Sequence, residues 1–114
     1  MILHHSELAR NLCLIKLTGR LDNMGAADID QELAAYCAVD NSSVLIDLSD
    51  VEFLTSFGMR LLAVNAKTLA DRGGRMYLVG PTPNVKDTLD VSGVGPIIPI
   101  YDSVSSARSA LLAS

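Results

Sequence analysis

The sequence predicts an α/β fold: a mostly parallel mixed β-sheet of four to five strands with about four helices, formed as a single domain over residues 1–114. Three observations predict it. Apolar runs of strand length alternate with segments whose apolar residues recur at i, i+3, i+4 and i+7, the spacing of one helix face. Short clusters of Gly, Pro, Asn, Asp and Ser separate these segments, and no repeat, linker or low-complexity stretch interrupts the alternation. A chain of 114 residues is also long enough to bury a core without metal or disulfide staples. Strands that alternate with helices favour parallel pairing through right-handed crossovers.

Taken in order, Met1 to Leu8 reads as a short first strand, with Ala9-Arg10-Asn11 as its turn. Leu12 to Leu17 is a firmer apolar strand, broken by Thr18-Gly19-Arg20-Leu21-Asp22. From Met24 to Tyr36 a first helix places Ala26, Ile29, Leu33 and Tyr36 or Cys37 on one face and Asp28, Asp30, Gln31 and Glu32 on the other. Asp40-Asn41-Ser42 closes it. Val44, Leu45 and Ile46 form a central strand covered on both faces, ended by Asp47 and Asp50. A second helix follows, with Met59, Leu62, Ala63, Ala66, Leu69 and Ala70 in the helical rhythm, stopped by Gly73-Gly74. Arg75 to Val79 is the next strand, ended by Gly80-Pro81. Pro83 fits the first turn of a short third helix with Val85 and Leu89 inward. Val94 to Ile100 would be a last strand interrupted by Pro96 and Pro99. Asp102 or Ser103 then caps a final helix with Val104, Ala107 and Leu111 inward.

A formal net charge of −4 and a sequence pI near 4.9 argue against nucleic-acid binding, which needs clustered Lys and Arg. Charged residues interrupt each apolar run well before the ~18 residues of a membrane span. The amino-terminal MILHHSELAR lacks the basic and apolar regions of a secretory signal, so a cytoplasmic protein without direct membrane insertion is expected. Cys13 and Cys37 lie in apolar segments outside any CxxC or Cys/His cluster and read as buried, reduced thiols. His4 and His5 have no further ligands at metal-binding spacing, so neither metal nor cofactor is expected.

The stretch VLIDLSDVEFLTSFGMRLL carries the candidate function, because it runs from the central strand through an acidic turn into Thr55-Ser56-Phe57-Gly58 at the start of the second helix. Three enzymatic readings fail there. A serine hydrolase would need the glycines of G-x-S-x-G, but Leu54 and Gly58 flank Ser56, and no histidine lies beyond position five to act as base. A phosphoacceptor receiver with Asp47 as its aspartyl site would need a lysine after the last strand, where Tyr101 and Asp102 stand. A phosphate-cradling loop would precede its helix, whereas Gly73-Gly74 follows one. No enzyme is expected. Ser56 either caps the helix or is a modification site; a helix N-terminus has free amide protons and a positive dipole end, so the fold would tolerate a phosphate there. Leu61, Val64 and Thr68 fall on a second stripe of the helix beside Arg60 and Lys67, which is either a further packing contact or a partner surface that begins next to Ser56.

The segment IDLSDVEFLTSFGMRLL resembles the signature of STAS domains, the anti-sigma factor antagonist fold, whose usual form is D-L-S-x-V-x-F-(L/M/I)-D-S-S/T-G-L. LTGRLD is similar to the family's L-x-G-x-L-D, and the order of elements agrees over essentially the whole chain. The resemblance implies phosphorylation of Ser56 by an anti-sigma factor that is itself a serine kinase, with a separate serine phosphatase as a second partner. It also implies that Asp22, Thr55, Ser56, Phe57, Gly58, Arg60, Leu61 and Val64 form the partner-binding surface; the other role open to Asp22 is a helix cap or turn. Thr55 stands where the pattern has an aspartate, removing a negative charge and supplying a second hydroxyl for a kinase; Phe57 stands where the pattern has Ser or Thr. STAS relatives also serve as constitutive accessory subunits of ABC-type transporters or as parts of stress-signalling complexes, and fold alone does not choose among these.

Overall fold

A computed structural model describes residues 1–113. Strands β1 (Ile2–Ala9) and β2 (Leu12–Leu21) lead to helix α1 (Asn23–Cys37). Next come β3 (Ser43–Leu54), α2 (Ser56–Asp71), β4 (Met76–Val79), α3 (Pro83–Ser92), β5 (Ile100–Tyr101) and α4 (Val104–Leu112). The sheet order is β1-β2-β3-β4-β5. β1 pairs antiparallel with β2 through a two-residue turn in which Asn11 takes φ 61°, a left-handed conformation that Asn tolerates. All later neighbours are parallel.

Helices cover both faces, and the strand residues divide accordingly. On one face Ile15, Leu17, Val44, Ile46, Leu48, Val51 and Leu78 pack against Ile29 and Leu33 of α1, Leu62 and Leu69 of α2, and Val85 and Leu89 of α3. The opposite face is narrower: Leu45, Tyr77 and Val79 meet Ala107, Val104 and Leu111 of α4. The unbroken burial of Val44, Leu45 and Ile46 follows from being covered twice.

Three expected boundaries move. β3 does not end at Asp47 but continues to Leu54, because β2 also runs on through Thr18 to Leu21 and keeps its backbone paired. Register shifts between Lys16 and Thr18 and between Gly19 and Arg20 make room for this, with Gly19 at φ 121°. Asp50 is accommodated by Lys16, 3.1 Å away. The last strand shrinks from Val94–Ile100 to Ile100–Tyr101: Ile97 N and Ile98 N both donate to Val94 O, closing a turn, and the flanking Pro96 and Pro99 have no amide proton for a ladder. In α2 the deeply buried positions are Gly58, Leu62, Asn65 and Leu69, while Met59, Ala63 and Ala66 are half-buried at the margins and Ala70 is exposed.

The ends of the helices follow their expected chemistry. Gly74 N donates to Leu69 O and Gly73 N to Ala70 O, closing α2 in a glycine cap with Gly73 at φ 84°. Ser103, not Asp102, caps α4 by accepting from Ser106 N. Cys37 takes the buried position at the end of α1, while Tyr36 stacks on His5 with ring centroids 4.2 Å apart. Both cysteines are buried free thiols.

Candidate functional site

The loops after β2 and β3 are joined by one backbone carbonyl. Leu21 O accepts from Thr55 N at 3.1 Å and from Thr55 Oγ1 at 3.3 Å. Each loop also caps the helix that follows it. Asp22 Oδ1 accepts from Gly25 N at 2.8 Å at the start of α1, and Thr55 Oγ1 accepts from Gly58 N at 3.2 Å at the start of α2. Two glycines allow this convergence. A Cβ on Gly58 would lie 2.4 Å from Leu21 O, and one on Gly25 would lie 1.9 Å from Arg20 O, closer than any side-chain carbon can approach. The amino-terminal ends of α1 and α2 therefore lie side by side, one capped by a carboxylate and the other by a hydroxyl.

Ser56 is the first residue of α2, not its cap. It is exposed, and among the described residues its hydroxyl has no hydrogen-bond partner. The Thr55 hydroxyl is partly buried and engaged twice. Of two adjacent hydroxyls, one is committed to the fold and the other faces solvent.

Ser56 stands between two grooves. Phe57, Arg60, Leu61 and Val64 line the α1–α2 groove of about 320 Å3, with Ala26, Ala27 and Asp30 opposite. Phe57 and Val64 are 52% and 57% exposed, whereas Leu61 is half-buried against the core, so the second stripe of α2 is less open than its spacing suggests. Ser56 itself lines the other groove, about 500 Å3 between α2 and α3, with Met59, Asp87, Thr88, Val91 and Ser92. The structure thus joins Thr55, with Ser56 and Gly58 beside it, to the Asp22 loop through Leu21 O. Phe57, Arg60, Leu61 and Val64 are set to one side of them.

Helical periodicity does not disclose the α2–α3 groove, because it depends on how two helices are placed over the sheet. Val91 is its one sequence clue: it falls outside the Val85–Leu89 stripe and is 91% exposed. Arg20 is a further site residue that the motif leaves as a variable position. Its guanidinium lies 4.7 Å from the centroid of the Phe53 ring and its Nε 3.6 Å from Asp22 Oδ2. The Gly25 amide, together with Arg20, holds the Asp22 carboxyl below the usual carboxylate range against a smaller opposing effect of desolvation. Among the described residues no three His, Cys, Asp or Glu side chains gather as a metal site, and no helix is long and apolar enough to cross a membrane.

Comparison with known proteins adds the following. The family model described as STAS domain matches residues 5–107. The anti-sigma F factor antagonist of Paenibacillus polymyxa is 27% identical over 109 residues, 95% of this chain and 90% of that protein. An anti-sigma factor antagonist from Mycobacterium paratuberculosis has a crystal structure that superposes with a TM-score of 0.84 at 25% identity, covering 96% of this chain and 92% of the other. The anti-sigma factor antagonist SpoIIAA in its unphosphorylated form superposes with a TM-score of 0.80 at 22% identity over 99% and 98% of the two chains. The phosphorylated form of the Bacillus protein shares the fold, with a TM-score of 0.71 at 21% identity over 96% of this chain and 99% of that one.

Proposed function

Since the chain belongs to the STAS-domain family, we propose that it is an anti-sigma factor antagonist whose binding to an anti-sigma serine kinase is switched by phosphorylation of Ser56. The observation that carries this reading is the exposed, unpartnered Ser56 hydroxyl at the first position of α2, beside a Thr55 hydroxyl that the fold already uses. The names of its relatives support the antagonist part of this reading.

Unphosphorylated, the ridge formed by Ser56 and Phe57, with a groove on either side, is the docking face. Binding sequesters the kinase and frees a sigma factor in the cytoplasm. With ATP bound to the kinase, Ser56 Oγ attacks the γ-phosphorus, its proton passes to a base of the kinase, and ADP leaves. The product carries about −1.5 to −2 charges. These fall at the positive end of the α2 dipole, so the fold is undisturbed. They also fall where the partner must pack against Met59 and Val91 on one side and Phe57 on the other, and burying an incompletely paired phosphate there is costly. A phosphatase that hydrolyses the phosphoserine resets the protein.

The test is phosphoryl transfer. Incubation with the cognate kinase and ATP, read by intact-mass spectrometry, adds one phosphoryl group to the wild type and to Thr55→Ala and none to Ser56→Ala. Transfer that persists in Ser56→Ala overturns the assignment. Stable capture of a transport ATPase by a chain that no cellular kinase modifies identifies a constitutive accessory subunit instead.

A further inference from the structure

We propose that Arg60 is the intramolecular counter-ion of phosphorylated Ser56, so that the modification also withdraws a cation from the docking face; this rests on Ser56 being the phosphoacceptor. Ser56 and Arg60 are both exposed and four residues apart in α2, which makes them neighbours one turn apart on the helix surface. The acidic group precedes the basic one, the favourable orientation for such a pair. Among the described residues the ion pairs of basic side chains engage Lys16, Arg20, Lys67, Arg72 and Lys86, and none engages Arg60. Arg20, the other arginine at the site, is already held by Asp22 and the Phe53 ring.

The carboxylates around Ser56 repel a phosphate. Asp22 lies at the cap of α1, Asp30 on the far wall of the α1–α2 groove, and Asp87 on the α2–α3 groove that Ser56 lines. Glu52 precedes the site on β3, and Lys86 of α3 is turned to Asp90. Among the described residues Arg60 is therefore the cation within reach that no ion pair engages. Its planar guanidinium can donate two parallel hydrogen bonds to phosphate oxygens. Before phosphorylation the same guanidinium lines the α1–α2 groove with Asp30 and is available to a carboxylate of the partner. Modification of Ser56 then changes the face twice, by adding an anion at one groove and by occupying the cation of the other.

The experiment incorporates phosphoserine at position 56 during synthesis, so no kinase is needed, and follows its phosphorus resonance by NMR through a pH titration. The second phosphate ionisation, ordinarily near pH ~6, is expected below that value in the otherwise wild-type chain. Arg60→Gln raises it by about 0.2–0.4 unit, a helix ion pair's strength expressed as a pKa difference. Arg60→Lys keeps part of the shift, and Arg20→Gln leaves it in place. A titration of Arg60→Gln that superposes on the wild type overturns the pairing, as does an equal rise in Arg20→Gln. Failure of the kinase to phosphorylate Ser56 would remove the switch while leaving this pairing measurable; an unshifted Arg60→Gln titration would remove the pairing while leaving the switch.

Discussion

Asp22 caps α1 through Gly25 N and pairs with Arg20, and both contacts favour its ionised form. A carboxyl held below its ordinary value of 3.8 contributes stability that is fully present above that pH and is lost as pH falls through the lower folded value. Asp22→Ala therefore lowers the melting temperature at neutral pH, and the gap from wild type narrows below about pH 3.8. Thermal unfolding followed by circular dichroism at pH 7 and pH 3 checks this; a gap that widens in acid contradicts it. Thr55 is the equivalent for α2, and Thr55→Ala costs about 1 kcal/mol of stability without abolishing phosphorylation. At Cys37 burial, with a smaller effect of Cys13, pushes the thiol up to about 12. It stays protonated at neutral pH, so a thiol reagent reacts with it in urea far faster than in the native protein. Sequence and structure agree that both cysteines are buried, because each lies in an apolar segment.

At the scale of elements, α2 separates two jobs onto two faces. Gly58, Leu62, Asn65 and Leu69 hold it to the sheet, while Ser56, Phe57, Arg60 and Val64 look outward. Gly58→Ala tests the first job. Alanine is the better helix former by about 1 kcal/mol, yet its Cβ would meet Leu21 O at 2.4 Å and Leu21 Cγ at 2.8 Å. The overlap wins, and urea denaturation should show net destabilisation of about 1–3 kcal/mol; a gain in stability would mean that the β2–α1 loop yields easily. Apolar periodicity made α2 visible but misplaced the centre of its buried face, and the cap is Thr55, not Ser56. Asn65 is polar, and only the structure shows its amide donating to Leu61 O at 2.9 Å, which satisfies it inside the helix-to-sheet contact. The ends of β2 and β3 were hidden for a related reason. Thr18, Arg20, Asp47 and Asp50 read as turn or breaker residues, whereas cross-strand pairing of their backbones keeps them in the sheet.

For the molecule as a whole, alternating patterns and the two motifs were enough to read the order of elements, the mixed sheet and the place of Ser56. The grooves were not legible, since they arise where α1, α2 and α3 meet, residues far apart in the chain. Their exposed side chains make a claim about binding that is separable from folding. Val64→Asp and Val91→Asp should leave the melting temperature nearly unchanged, as both positions are more than half exposed. Each should weaken kinase binding about tenfold, about 1.4 kcal/mol. The most direct measurement is calorimetric titration of the cognate anti-sigma kinase with wild type, Ser56→Ala and Ser56→Asp, after circular dichroism has shown all three folded. Ser56→Ala should bind as the wild type does, and Ser56→Asp should lose a hundredfold to a thousandfold in affinity, about 3 to 4 kcal/mol. Equal affinities for the two variants would contradict the switch.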